Sequence, residues 1–63
     1  MRRYSVYVHR DEVFNTEAES ANKALGEFFD FLLSEGYTSM KDYCEKKNCT
    51  FADIRARRDA NQN

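Results

Sequence analysis

From Arg3 to His9, polar and apolar positions alternate. Tyr4, Val6 and Val8 fall on one face; Arg3, Ser5, Tyr7 and His9 fall on the other. A period of two in β-favouring residues predicts a strand. The run from Glu12 to Ala18 alternates again, with Phe14, Thr16 and Ala18 on one face. Arg10-Asp11 is a polar reversal between them, so the two runs predict a β-hairpin. A hairpin alone is not stable in water and must be covered by a helix or extended by another strand.

The period then changes. Ala21, Ala24, Leu25, Phe28, Phe31 and Leu32 recur at three- and four-residue spacing, the stripe of a core-facing helix. Ser20 is placed to cap its N-terminus, with Glu17 and Glu19 near the positive end of the dipole. Gly36 stands where a left-handed C-terminal cap belongs. The prediction is a helix over 20–35, with Lys23, Glu27, Asp30 and Ser34 on its wet face. Phe29 and Leu33 widen the apolar stripe beyond what two strands cover.

Two further helix starts come next. Ser39 caps a segment from about Met40 to Lys47, with Asp42 three residues on as a variant capping box. Met40, Tyr43 and Cys44 face inward there, and Asn48 is a left-handed terminator. Thr50 caps again, with Asp53 three residues later. This predicts a last helix from 51 to about 60, with Phe51 and Ile54 inward. The expected fold is α+β: an N-terminal β-hairpin packed on a long amphipathic helix, followed by two short helices. Residues 1–60 make a single small domain and 61–63 a polar tail expected to fray.

A chain of 63 residues buries only roughly 60% of its unfolded surface and needs help to be stable. A Cys44–Cys49 bridge would close a tiny loop and constrain little. Both cysteines are expected to be small core hydrophobes. Two cysteines and one histidine fall short of a closed zinc site, so no metal or other cofactor is expected. Tyr4 to Val8 is too short and too polar for the apolar core of a secretory signal, and no run approaches a membrane span. A cytoplasmic protein with reduced thiols is the expectation. The remaining source of help is a partner. Four tyrosines and five phenylalanines are more than so small a domain can easily bury, which points to a protein partner or a homodimer.

Charge adds one asymmetry. The net charge is −1, so there is no global basic footprint. Residues 1–38 hold four basic and seven acidic side chains, and residues 39–63 hold six basic and four acidic. Chemistry is not indicated. Gly26 and Gly36 form no phosphate loop. His9 is alone on the outer strand face. Glu12, Glu17 and Glu19 lie in water, where nothing separates their pKa values. The chain is expected not to be an enzyme and to take no small-molecule substrate.

Two binding readings remain. In the first, the hairpin offers exposed strand edges, with Tyr7 beside Val13 on its outer face and Phe29 in the excess apolar surface of the helix. Such an edge can add to a partner's sheet. This reading is a non-catalytic module acting through a protein partner or self-association. A hairpin followed by an amphipathic helix resembles, in layout, many small phage and mobile-element proteins that bind and inhibit or regulate a host protein.

The second reading rests on residues 40–59, which resemble the bihelical unit of the helix–turn–helix family. Cys44 is the small residue within the first helix, Asn48 and Cys49 fit the turn, and Ile54 fits midway along the second helix. Lys47 and Arg57 depart from the pattern, because the family places apolar residues near those positions. The resemblance implies a DNA-binding regulator whose recognition helix spans Thr50 to Arg58, with Thr50, Arg55 and Arg58 candidates for nucleic-acid contact. In a helix, Asp53 would pair with Arg57 and Asp59 with Arg55 at i,i+4, leaving Arg58 the freest cation.

Overall fold

The computed structural model describes residues 1–59. The expected tail at 61–63, and Ala60 at the end of the last expected helix, lie outside the described residues. The chain runs β1 (Arg2–Val8), β2 (Asp11–Ala18), α1 (Ala21–Ser34), α2 (Met40–Lys47), a 3-10 turn (Phe51–Asp53) and β3 (Ile54–Arg58). The fold is α+β, with a three-stranded antiparallel sheet in the order β2-β1-β3.

The hairpin turn is His9-Arg10, one residue earlier than the polar reversal in the sequence suggests. His9 takes the left-handed conformation, with φ 57°. It is therefore in the turn and not on the outer face of a strand. Its backbone N–H donates to the Asp53 carbonyl at 3.0 Å, tying the turn to the 3-10 segment.

The helix at 21–34 forms as its stripe predicts. The Ser20 hydroxyl accepts from the Lys23 N–H at 3.2 Å. At the other end Gly36 has φ 100°. The Gly36 N–H donates to the Leu33 carbonyl at 3.2 Å and the Tyr37 N–H to the Leu32 carbonyl at 3.1 Å. This pair of bonds is a Schellman ending, which uses the left-handed glycine to satisfy two terminal carbonyls. Ala24, Phe28 and Leu32 are buried. Phe31 is half in water, yet it stacks on Phe14 with ring centroids 5.0 Å apart.

α2 also forms where its caps place it. The Ser39 hydroxyl accepts from the Asp42 N–H at 3.0 Å. Asn48 closes the helix in the left-handed conformation. Tyr43 meets Phe28 edge-on at 5.6 Å and Tyr37 edge-on at 5.1 Å. Val6, Val8, Phe28, Leu32, Tyr43, Cys44 and Ile54 make one core, so both helices cover the same face of the sheet.

The last expected helix, from 51 to about 60, does not form. Three residues make a 3-10 turn, and Ile54–Arg58 is a strand paired antiparallel with β1. The reason is visible in β1. Its inner row, Val6 and Val8, is the most buried of any strand. A strand so buried leaves unpaired backbone groups on its free edge unless another strand takes them. Ile54-Arg-Ala-Arg alternates with period two, so as a strand it buries Ile54 and half-buries Ala56 against the core. As a helix it would bury only Phe51 and Ile54. Phe51, expected inward, is 66% exposed, whereas Ile54 is buried as expected. The second helix required by the helix–turn–helix resemblance is thus replaced by a turn and a strand.

Candidate binding surface

The strand register sorts the side chains onto two faces. Val6 pairs with Phe14 on one side and Ala56 on the other, and Tyr4 pairs with Thr16 and Arg58. These rows face the helices. Ser5 pairs with Asn15 and Arg57, and Tyr7 pairs with Glu12 and Arg55. These rows form the opposite face, which no helix covers among the described residues.

The middle of the uncovered face is tied together. Asn15 Nδ2 donates to the Ser5 hydroxyl at 2.8 Å and lies 3.5 Å from Asp59 Oδ2. Arg3 donates to the Asn15 side-chain carbonyl and pairs with Glu17 at 3.5 Å. These contacts leave Ser5 3% exposed and its hydroxyl satisfied. A buried hydroxyl with a partner costs little, whereas one without a partner would destabilise the sheet.

The cations gather at one end of this face. A concavity of about 350 Å³ is lined by Tyr7, His9, Arg10, Arg55 and Arg57. A second, of about 410 Å³, shares His9, Arg10, Arg55 and Arg57 and reaches Ala52 and Asp53. Among the described residues, Arg10, Arg55 and Arg57 enter no ion pair. The nearby carboxylate, Asp53, is engaged elsewhere. The Thr50 N–H and hydroxyl donate to it at 2.8 and 3.0 Å. These bonds hold its carboxyl below the ordinary aspartate range, and the fields of His9 and Arg55 lower it further. His9 Nδ1 lies 3.9 Å from Asp53 Oδ1, an ion pair only when the imidazole is protonated.

The residues expected to bind a partner do not form one surface. Tyr7 lies on the uncovered face. Val13 does not lie beside it, because β2 carries a bulge: Val6 pairs with Phe14 and Tyr7 with Glu12, so Val13 is the extra residue. A bulge re-aims its side chain, and Val13 lines a groove on the helix side with Phe28, Phe31 and Leu32. Phe29 is half-buried on α1, across the sheet from Tyr7.

The nucleic-acid candidates separate as well. Thr50 caps the 3-10 turn through Asp53. Arg55 is on the uncovered face, and Arg58 is in the opposite row, paired with Tyr4. Arg57, expected to be held by Asp53, joins Arg55 instead. The side chains of Arg10 and His9 complete the group, and their only signal in sequence was position in the hairpin turn.

Chemistry-bearing groups elsewhere are dispersed. Cys44 and Cys49 are free thiols, and burial pushes the Cys44 thiol up, as does its contact with Cys49. A separate apolar groove of about 320 Å³ is lined by Met40, Lys41, Cys44 and Phe51. Among the described residues no three metal-ligating side chains converge, and no helix is long and apolar enough to cross a membrane. Comparison with protein-family models, curated proteins and solved structures gives no match.

Proposed function

We propose that this protein is a small non-catalytic module that acts by binding a macromolecular partner, and that its recognition surface is the uncovered face of the sheet. One observation carries the reading. Arg10, Arg55 and Arg57 gather around Tyr7 on that face with no ion pair among the described residues. In a chain of net charge −1, three arginines gathered at one end of a face, with Glu12 on the far side of Tyr7, form a local attractive field for an anionic surface. An aromatic ring beside them adds contact area at low entropic cost. The groups are open to solvent and lack the nucleophile–base pairing that covalent chemistry needs.

The test is crosslinking in the native host, with a photoreactive phenylalanine derivative in place of Tyr7 and, in separate chains, in place of Phe31 or Phe51. The reading expects a discrete adduct from position 7. Adducts from positions 31 or 51 with none from 7 would move the recognition surface to the helical side.

That outcome would favour a second reading, self-association through the helical side. Val13, Phe31 and Leu33 are 37%, 38% and 45% exposed, and Val13 and Phe31 border one groove. Light scattering on dilution tests it. A dimer that Phe31→Ser converts to a folded monomer supports it, and a monomer at all concentrations removes it.

A further inference from the structure

We propose that the cradle formed by Tyr7, Arg10, Arg55 and Arg57 binds a single-stranded nucleic acid, its phosphates on the guanidinium groups and a base on the Tyr7 ring. The inference rests on the uncovered face being the recognition surface and assigns that surface its partner.

The arrangement of charge is the first argument. Arg55 and Arg57 are alternate residues of β3 on one face. Side chains so placed stand about 7 Å apart along a strand. They form a row rather than a converging clamp. A row matches the repeated charges of an extended polyanion, whereas a lone small anion is held by donors that converge. Arg10 in the hairpin turn extends the row beyond the end of β3 and closes the concavity against Tyr7.

The aromatic residue is the second argument. Tyr7 is half-buried and sits directly across the β1–β3 pair from Arg55. Its backbone is fixed by the sheet while part of its surface meets solvent. A fixed ring among cations is a stacking platform for an unstacked base. A duplex keeps its bases stacked and offers nothing for this ring. An acidic peptide would satisfy the arginines and leave the ring without a distinctive role.

The open edge of β3 is the third argument. β3 is an outer strand, and it carries Arg55 and Arg57 on the uncovered face beside that edge. Like charges across a strand pair repel, so two copies joining by this edge would be disfavoured. Cations on an edge deter strand addition, which leaves the ground beside them open to a flexible polyanion.

The binding should be modest and salt-sensitive. Each phosphate contact to a single strand contributes about −0.7 to the slope of log affinity against log salt. Three arginines predict a slope of about −2 on that basis.

The experiment is fluorescence anisotropy of a short labelled oligouridylate with the full chain over a salt series. Parallel arms use a duplex of equal length and an oligoaspartate of equal charge. Circular dichroism first confirms that each variant is folded. We expect Arg57→Gln to weaken binding and flatten the slope by about 0.7. Tyr7→Leu is expected to weaken binding about 5- to 150-fold while leaving the slope unchanged. Arg58→Gln, on the opposite face, is expected to leave binding intact. Three results would overturn the proposal: Tyr7→Leu binding as wild type, Arg58→Gln losing as much as Arg57→Gln, or no binding of the oligouridylate. Oligoaspartate held in its place and released by Arg57→Gln would retain the recognition surface and reject the nucleic acid. The position-7 crosslink decides independently whether that surface is used at all.

Discussion

Tyr7 and Arg55 stand opposite one another across the β1–β3 pair, on the side of the sheet that the helices leave open. They are far apart in sequence and meet only because residues 54–58 form a strand. The same register places Arg57 opposite Ser5, so two cations share a face with the ring. Had the segment been a helix, Arg55 and Arg58 would have shared a face at i,i+3 spacing, and neither would have met Tyr7.

The core prediction comes from burial. Phe28 and Leu32 are 1% and 2% exposed, and Phe28 also meets Phe14 and Tyr43. Phe28→Ala should cost about 3–5 kcal/mol and Leu32→Ala about 2–5 kcal/mol. Losses of that size approach the whole stability of a small domain. Urea denaturation measures them, and an unchanged midpoint for Phe28→Ala would contradict the core assignment.

Acid should destabilise the protein in part through two aspartates. Asp42 accepts from the Thr38 N–H at 3.0 Å, which is the main cause of its lowered pKa, with Lys46 assisting. Asp53 is lowered chiefly by Thr50. A carboxyl whose folded pKa lies below its unfolded value adds stability that is complete above the unfolded value. That stability is lost as pH falls through the folded value. The loss should therefore run downward from about pH 4. Asp42→Asn and Asp53→Asn should each flatten the acid limb of a thermal midpoint against pH series. A limb as steep in both variants as in wild type would show that other groups set it.

The two thiols should differ in reactivity. Cys44 is buried and its thiol is pushed up by that burial, whereas Cys49 is half-exposed. Alkylation of the folded protein near pH 8 should modify Cys49 first, because the thiolate is the reacting form and must be reachable. Unfolding should make the rates converge. Mass spectrometry of a timed iodoacetamide reaction reads the order, and faster labelling at Cys44 would contradict the packing of α2.

Much of the fold was legible because local signals and burial agreed. Ser20, Gly36, Ser39 and Asn48 marked helix ends that capping chemistry dictates, and the structure uses all four. The Phe28 and Leu32 stripe faced the core. The C-terminal segment was different. The Thr50 N–H and hydroxyl do both donate to the Asp53 carboxylate, but this cap initiates a single 3-10 turn. The conformation of residues 54–58 is decided by a distant partner, the open edge of β1. Local pattern allowed both a helix and a strand, and tertiary pairing chose. The site was lost with it. Helical spacing pairs Arg57 with Asp53 and favours Arg58, whereas the strand exposes Arg57 beside Arg55 and sends Arg58 to the other face. The bulge at Val13 was equally invisible, since an alternating run gives no sign of one extra residue.

The most direct test is a nuclear Overhauser measurement on the uniformly labelled chain across residues 51–58. The central claim is that Ile54–Arg58 is a strand laid on β1, which sets Arg55 and Arg57 on the face of Tyr7. It predicts cross-strand backbone contacts linking Val6 with Ala56 and Tyr7 with Arg55, and strand-type α-carbon shifts from Ile54 to Arg58. An unbroken series of amide–amide contacts from Phe51 to Arg58, with none to β1, would contradict the claim and restore a helix there.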